Sequence, residues 1–247
     1  MVFVPKKNAL DTLQKRETKA KETGKMTEEQ LAKQKANGSE SDDTICTADL
    51  TDDEILEGLN LLLIGDSIAV DVTDDFYEMF PNSVSDTKIG RITSLGKQVL
   101  DSYIDEKKWE GEGVIFASLS NSPINGELEA IREKIGKNMP LFLTTVRIPH
   151  DTFEEESNSK IKKFVEENDH TYLIDWYAAS EGHDEYFDAD DTHLLSAGAK
   201  AYAKCIKEAV LDAYKKENIE IPKSRLVSST DTSTDSSNDS STDTSTE

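Results

Sequence analysis

Two short motifs contain the residue types of a serine nucleophile and its base. A Gly-Asp-Ser sequence that ends at Ser67 follows the apolar run 61–64, and Asp190 and His193 lie three residues apart in DADDTHLL. An imidazole that is held on one nitrogen by a carboxylate can accept a serine proton on the other. These residue types indicate acyl transfer through a serine ester, with Ser67 as nucleophile, His193 as base and Asp190 as its orienting carboxylate.

Each motif also has a simpler interpretation when it is taken alone. Gly-Asp-Ser suits a turn and a helix N-cap, and an Asp and a His before a helix are often a cap and a surface residue. The chain has four histidines, so the choice of base is narrow. Asp191 competes with Asp190 for the orienting role, and the spacing to His193 favours Asp190.

Strand and helix patterns alternate along the middle of the chain. Short apolar runs predict strands at 61–64, 114–117, 141–146 and 172–174, with a weaker one at 83–89. Helical patterns separate them, at 68–80, 93–104, 125–135, 157–167 and 196–214. This alternation predicts a parallel sheet that helices cover on both faces, with reactive groups at the carboxyl ends of its strands.

The segments outside this region differ from it in composition. Residues 1–50 are polar and rich in charge, with one short helical pattern at Thr27–Ala36, so we expect a linker that is disordered or transiently helical. Residues 51–222 form the predicted catalytic domain. Residues 228–247 contain only Ser, Thr, Asp, Asn and Glu, and we therefore expect 223–247 to be a disordered tail.

The charge balance and the cysteines exclude several classes of protein. The chain carries 28 basic and 50 acidic residues, and its net charge of −22 repels nucleic-acid phosphates and anionic membrane surfaces. No apolar run predicts a membrane-spanning helix, and no export signal is visible. Cys46 and Cys205 form no CxxC motif, which excludes a zinc ribbon; two free thiols are favoured over a disulfide between them.

Together, the two motifs form a specific pattern. GDSxxxD after the first predicted strand and DxxHL before the last predicted helix resemble the SGNH hydrolases of the GDSL type. Four stretches resemble the extracellular domain of the OatA-type peptidoglycan O-acetyltransferases: LLLIGDSIAVDV at 61–72, TKIGR at 87–91, VRIP at 146–149 and the long stretch at 173–206. With the predicted elements, the resemblance implies an α/β fold, a three-layer α/β/α sandwich whose five-stranded parallel sheet has the flavodoxin-like order 2-1-3-4-5.

The resemblance also assigns roles to individual residues. It implies a catalytic triad of Ser67, His193 and Asp190. It further implies an oxyanion hole formed by the N–H groups of Ser67 and Gly90 and by the side chain of Asn121. No metal ion and no organic cofactor is implied.

One block departs from the family pattern. Relatives usually have Gly-Thr-Asn-Gly where this chain has Leu-Ser-Asn-Ser at 119–122. Asn121 is kept, but both flanking glycines are lost. The loop must then bend differently if either glycine needs a positive φ, which leaves the placement of Asn121 open.

Two charged residues have alternative roles. Asp71 lies four residues after Ser67 on one face of a predicted helix, where it either supports the turn or is solvated. Arg147 follows a predicted strand. Because the chain has 50 acidic residues, we expect an ion pair for Arg147, and contact with a substrate is the alternative.

The resemblance implies a two-step acetyl transfer. His193 deprotonates Ser67, which takes an acetyl group from an ester or thioester and passes it to the C6 hydroxyl of muramic acid in peptidoglycan. In relatives a membrane acyltransferase domain delivers the acetyl group, so a separate domain or protein is the implied donor. The implied location is the outer face of the cell membrane or the cell wall.

Two other functions remain open from the sequence. An SGNH carbohydrate esterase would use the same triad and pass the acetyl group to water. A catalytically weak glycan-binding module is the second alternative, and the altered block at 119–122 is its support.

Overall fold

The computed structural model describes residues 7–37, 43–117, 119–120 and 126–226, with 7–10 and 36–37 described by their backbone alone. The helices and strands, in chain order, are α1 (Lys7–Asn37), β1 (Thr44–Cys46), α2 (Asp52–Gly58), β2 (Leu61–Gly65), α3 (Ser67–Met79), β3 (Val84–Thr87), α4 (Thr93–Asp105), β4 (Gly113–Ala117), α5 (Glu127–Ile135), β5 (Leu141–Thr144), α6 (Glu154–Glu167), β6 (Thr171–Ile174), α7 (Trp176–Ala179), α8 (Ser196–Glu217) and β7 (Glu220–Pro222). Short 3-10 helices occur at Thr47–Asp49, Asp184–Tyr186 and Lys223–Arg225. Within these ranges, no helix is long and apolar enough to cross a bilayer.

Five strands form a parallel sheet in the order β3-β2-β4-β5-β6. Numbered within the sheet, this order is 2-1-3-4-5, so the predicted five-stranded sheet and its flavodoxin-like order are confirmed. The interior strand β2 pairs with β3 and β4 in a register that aligns Gly65 with Thr87 and Ala117. Each of these residues ends its strand, and the segments that follow the three strands therefore leave the sheet side by side.

Hydrophobic cores cover both faces of the sheet, as a three-layer sandwich requires. On β2, Leu61 and Leu63 belong to the core beneath α3 and α8, whereas Leu62 and Ile64 belong to the core beneath α4, α5 and α6. Neighbouring residues of a strand point to opposite faces, so a strand that is buried on both faces needs a continuous apolar run. The run before Gly65 meets that need.

Residues 7–37 form a helix packed on the domain, whereas the sequence predicts a linker, disordered or transiently helical, at 1–50. Thr27 of α1 is buried, and its Oγ1 donates to the backbone carbonyl of Ser85 in β3. Lys19 donates through Nζ to the carbonyl of Asp71 in α3 at 2.9 Å. Because these contacts are polar, α1 lacks the broad apolar stripe by which a docked helix is recognised from sequence.

The folded unit begins before residue 51, the predicted boundary. β1 pairs antiparallel with β7, and Ile221 of β7 is fully buried.

Cys46 in β1 and Cys205 in α8 are both free thiols, in agreement with the favoured interpretation of the sequence. The predicted tail at 223–247 is wrong for its first residues, because Lys223–Arg225 form a 3-10 helix and Arg225 pairs with Glu112 at 2.8 Å. Residues 227–247 lie outside the described residues, and their disorder stays a prediction.

Removal of residues 1–37 should destabilise the domain, because it deletes the polar contacts that α1 makes with β3 and α3. We expect a loss of about 2 kcal/mol in the free energy of unfolding, or roughly 4–8 °C in the thermal midpoint. Circular dichroism on heating measures the shift. Glu28→Gln, a change at an exposed position of α1, is the control and should leave the midpoint unchanged. An unchanged midpoint in the truncated chain would show that α1 contributes nothing to stability.

Candidate active site

Ser67 lies at the sharp turn between β2 and α3. The helix begins at Ser67, and its N-cap residue Asp66 accepts a hydrogen bond from the N–H of Ile68 at 3.0 Å. A Cβ at Gly65 would lie 2.1 Å from the Cβ of Ala69, so the close approach of strand and helix requires glycine. The turn therefore places the serine hydroxyl at the carboxyl end of a central strand and at the N-terminus of a helix.

A loop before α8 brings a carboxylate and an imidazole to the serine. Oδ2 of Asp190 lies 2.7 Å from Nδ1 of His193, and Nε2 of His193 lies 2.9 Å from Oγ of Ser67. Asp188 closes the loop, because its N–H donates to the carbonyl of His193 at 2.8 Å. The fold thus joins residues that are 126 positions apart into one hydrogen-bonded chain.

The surroundings of Asp190 keep its carboxylate ionised. Its Oδ1 accepts the N–H groups of Thr192 and His193 at 3.1 and 2.9 Å. Burial raises the pKa of Asp190, but the hydrogen bonds from His193 and Thr192 together bring that pKa below its ordinary value. An ionised carboxylate favours the tautomer with a proton on Nδ1, which leaves Nε2 of His193 free to accept a proton.

Asp191, the competing carboxylate, points away from the base. Its backbone has φ +56°, in the left-handed region that favours glycine. Its Oδ2 lies 3.1 Å from Nε2 of His150, and both side chains are more than half exposed. The geometry therefore puts Asp190, and not Asp191, against His193.

The segment after β3 lies beside the nucleophile turn. Lys88 donates its N–H to the carbonyl of Gly65 at 3.1 Å, and the guanidinium of Arg91 donates to the same carbonyl at 3.2 Å. Gly90 lies between Lys88 and Arg91 in sequence and has φ +70°, and a Cβ there would point into open space. Asn121, the third predicted oxyanion-hole residue, lies outside the described residues.

Two charged residues connect the nucleophile helix to the loop that carries the base. Asp71 accepts the N–H of Leu194 at 3.1 Å, so it supports the site and is not a solvated residue. Nε of Arg16, in α1, lies 3.6 Å from the same oxygen of Asp71, and Nη2 of Arg16 donates to Asp188 at 3.1 Å. Burial raises the pKa of Asp71, and the nearby Arg16 opposes that rise. No sequence signal points to Arg16, because its segment is predicted as a linker.

The site has no neighbouring metal centre in the part of the chain that is described. There, no group of three His, Cys, Asp or Glu side chains is placed to hold a metal ion.

Sequence comparison identifies relatives of this chain. It is 34% identical over 146 residues to the O-acetyltransferase OatA of Staphylococcus aureus, a match that covers 59% of this chain and 24% of that protein. Over this stretch the chain is similar to the OatA O-acetyltransferases. It spans about a quarter of the length of these curated relatives. Comparison with protein-family profiles gave no match.

Comparison with solved structures identifies proteins of the same fold. The C-terminal catalytic domain of the peptidoglycan O-acetyltransferase OatA of Streptococcus pneumoniae superposes with a TM-score of 0.58 and 21% identity, covering 67% of this chain and 99% of that domain. A lipase/acylhydrolase of Enterococcus faecalis gives a TM-score of 0.51 at 18% identity, with 62% and 96% covered. The chain therefore shares the α/β fold of these solved structures, as its motifs predict.

Ser67→Ala and His193→Ala should each reduce the cleavage of 4-nitrophenyl acetate by roughly a thousandfold or more, because each removes a member of the hydrogen-bonded chain. Neither side chain belongs to a hydrophobic core, so both variants should melt within about 2 °C of the wild-type chain. A Ser67→Ala variant that keeps about a tenth of the activity with an unchanged melt would show that another nucleophile acts.

Asp190→Ala and Asp191→Ala form a matched pair of neighbouring aspartates. We expect Asp190→Ala to lower kcat by roughly a hundredfold or more, since the imidazole loses its orienting carboxylate. Asp191→Ala should change kcat by less than about threefold, because its carboxylate contacts the exposed His150. Steady-state kinetics with the same ester measures both. The reverse order would assign the orienting role to Asp191.

Proposed function

We propose that this chain transfers acetyl groups through an acetyl ester of Ser67, with the C6 hydroxyl of muramic acid in peptidoglycan as the acceptor. The observation that carries the chemistry is the hydrogen-bonded chain from Asp190 through His193 to Ser67, with contacts of 2.7 and 2.9 Å. The choice of acceptor rests on the homology to OatA and on the pneumococcal OatA domain, which is a peptidoglycan O-acetyltransferase.

The first step forms the acetyl-enzyme. Oγ of Ser67 attacks the carbonyl carbon of an acetyl ester or thioester while Nε2 of His193 accepts the hydroxyl proton. The ionised Asp190 stabilises the imidazolium that results. Collapse of the tetrahedral intermediate breaks the bond to the donor oxygen or sulfur, and His193 returns the proton to that leaving group.

An oxyanion hole stabilises the tetrahedral intermediate. The N–H groups of Ser67 and Gly90 and the side chain of Asn121 would donate to the oxyanion. Among the described residues, neither of these N–H groups donates to a backbone carbonyl, so both are available for the substrate. The N-terminus of α3 adds a favourable dipole at the same place.

The second step transfers the acetyl group to the sugar. The acceptor hydroxyl gives its proton to Nε2 of His193 while its oxygen attacks the acetyl carbon. The bond from that carbon to Oγ of Ser67 then breaks, and His193 returns the proton to Oγ, which restores the serine and yields the O-acetylated sugar. A membrane acyltransferase domain or protein would supply the acetyl group, by analogy with the OatA-type relatives. Because the proposed acceptor is peptidoglycan, we infer that the reaction occurs at the outer face of the cell membrane or in the cell wall.

Hydrolysis is the second candidate function, and the exposure of the site favours it. The side chains of His193 and Asp190 are 25% and 49% exposed, so water can reach an acetyl-enzyme. A carbohydrate esterase would use the same residues with water as the acceptor. A glycan-binding module needs no hydrogen-bonded chain of this kind, and the geometry therefore favours an enzyme.

The choice of acceptor separates transfer from hydrolysis. With a saturating muramic-acid oligosaccharide, we expect faster turnover of the acetyl-enzyme and an O-acetylated sugar, because a bound, oriented hydroxyl competes with water through its effective concentration. Mass spectrometry of the sugar, combined with an assay for free acetate, counts both products. Chitin oligomers of equal length, which lack the lactyl group, are the control and should be poorer acceptors. Free acetate as the sole product would favour the esterase.

A further inference from the structure

Arg16 reaches from α1 to two carboxylates beside the candidate site. Its Nη2 donates to Oδ2 of Asp188 at 3.1 Å, and its Nε lies 3.6 Å from Oδ2 of Asp71, so the attraction to Asp71 is that between opposite charges. The side chains of Arg16, Asp71 and Asp188 are 11%, 10% and 24% exposed. Carboxylates with so little access to water are costly to bury unless a cation faces them. One guanidinium therefore offsets the charge of two largely buried carboxylates.

The two aspartates hold one peptide unit of the loop that carries the base. That peptide joins His193 to Leu194. Its N–H donates to Oδ2 of Asp71 at 3.1 Å, and its carbonyl accepts the N–H of Asp188 at 2.8 Å. Both polar groups of the peptide that follows the base are thus fixed by the two residues that face Arg16.

The 193–194 peptide sets the position of the imidazole. His193 can deprotonate Ser67 only while its Nε2 stays near the 2.9 Å that separates it from Oγ. A displacement of about 1 Å in a catalytic group costs roughly a hundredfold in rate. Any shift of this peptide moves the Cα of His193, so the two hydrogen bonds on the peptide bear directly on the contact with Ser67.

The charge of Arg16 keeps Asp71 a strong hydrogen-bond acceptor. Burial raises the pKa of Asp71, and the positive charge of Arg16 opposes that rise. The N–H of Leu194, His193 and Lys19 oppose it less strongly. Without Arg16, the buried carboxylate would take up a proton or draw in water, and either change weakens the hydrogen bond from the N–H of Leu194.

The helix α1 has other contacts with the domain that do not involve Arg16. Lys19 pairs with Asp74 at 3.1 Å, and the buried Thr27 donates to a backbone carbonyl of β3. A substitution at Arg16 therefore removes the pairing with the two aspartates and leaves these other contacts of α1 in place.

We propose that Arg16 is a positioning residue for the catalytic base. By offsetting the charges of the two aspartates, it fixes the peptide after His193 and keeps the imidazole within reach of Ser67. The proposal rests on the proposed function only in that Ser67 is the nucleophile and His193 its base, and it is independent of the acceptor. Arg16 precedes the four stretches that resemble the O-acetyltransferases, so the resemblance assigns it no role.

The test separates the charge of Arg16 from its packing. Arg16→Met removes the charge and keeps an unbranched side chain, and Arg16→Lys keeps a charge without the planar fork. Asp71→Asn is combined with Arg16→Met, because asparagine keeps an oxygen for the N–H of Leu194 and carries no charge. Lys15→Met removes an exposed charge from the same turn of α1 and is the matched control. For each variant, steady-state kinetics with 4-nitrophenyl acetate give kcat and KM, and phenylmethylsulfonyl fluoride gives the rate at which Ser67 is sulfonylated.

We expect Arg16→Met to lower kcat by roughly tenfold to a hundredfold and to change KM by less than about threefold, because acylation and deacylation use the same base and slow together. Sulfonylation should slow by a similar factor, since it needs the same base. The double variant should be at least about fivefold more active than Arg16→Met, because no unpaired charge is left at position 71. Arg16→Lys should lie between Arg16→Met and the wild type, and Lys15→Met should match the wild type.

An unchanged kcat in Arg16→Met would overturn the proposal. So would a double variant that is no more active than Arg16→Met, because the loss would then come from packing and not from charge. A loss carried by KM alone would likewise contradict a role in positioning the base.

A wild-type chain that neither cleaves the ester nor reacts with the sulfonyl fluoride would refute the proposed function, and hydrogen exchange then decides the role of Arg16. Mass spectrometry follows the exchange of backbone amides in the segment 188–195. Faster exchange that is confined to this segment in Arg16→Met and is reversed in the double variant supports the proposal. Unchanged exchange in the segment, or an equal increase throughout the domain, overturns it.

Discussion

A buried carboxylate, Asp71, holds the two halves of the candidate site together. A serine and its base act in concert only at hydrogen-bonding distance, about 3 Å, yet here they are 126 positions apart in the chain. Asp71 lies on the helix that begins with Ser67, and it accepts the N–H of Leu194, the residue after the base. Arg16 lies against Asp71 and Asp188, so α1 compensates a charge that would be costly to bury alone.

The parallel sheet explains why the other groups converge. Strands that run in one direction end at one edge, and the residues that follow them share that edge. Ser67 follows β2, and Gly90 lies in the segment after β3. Each group reaches the site from its own strand, so the geometry of the sheet sets their order around the serine.

The acidity of the chain gives that edge its electrostatic character. Most cations of the site are paired, as Arg16 and Arg91 are with aspartates. The guanidinium of Arg147, by contrast, stacks on the ring of Tyr177.

The sequence by itself determined the features that depend on local patterns. A strand buried on both faces needs a continuous apolar run, which marks β2, and the tight turn needs Gly65 before the serine. Ser67 and His193 could also be named, because their motifs lie at the boundary between a strand or loop and a helix. These signals are carried by neighbouring residues and need no knowledge of the packed chain.

The tertiary structure decided what depends on contacts between distant segments. Asp190 and Asp191 are adjacent in sequence, and only the bend of the loop turns one toward His193 and the other toward His150. The helix α1 docks largely through polar contacts and ion pairs, with Met26 and Leu31 packed against the cores, and so few apolar residues form no broad stripe in the sequence. The sequence favours an ion pair for Arg147, but its guanidinium stacks on Tyr177 and has no carboxylate partner among the described residues, because such pairing depends on the fold.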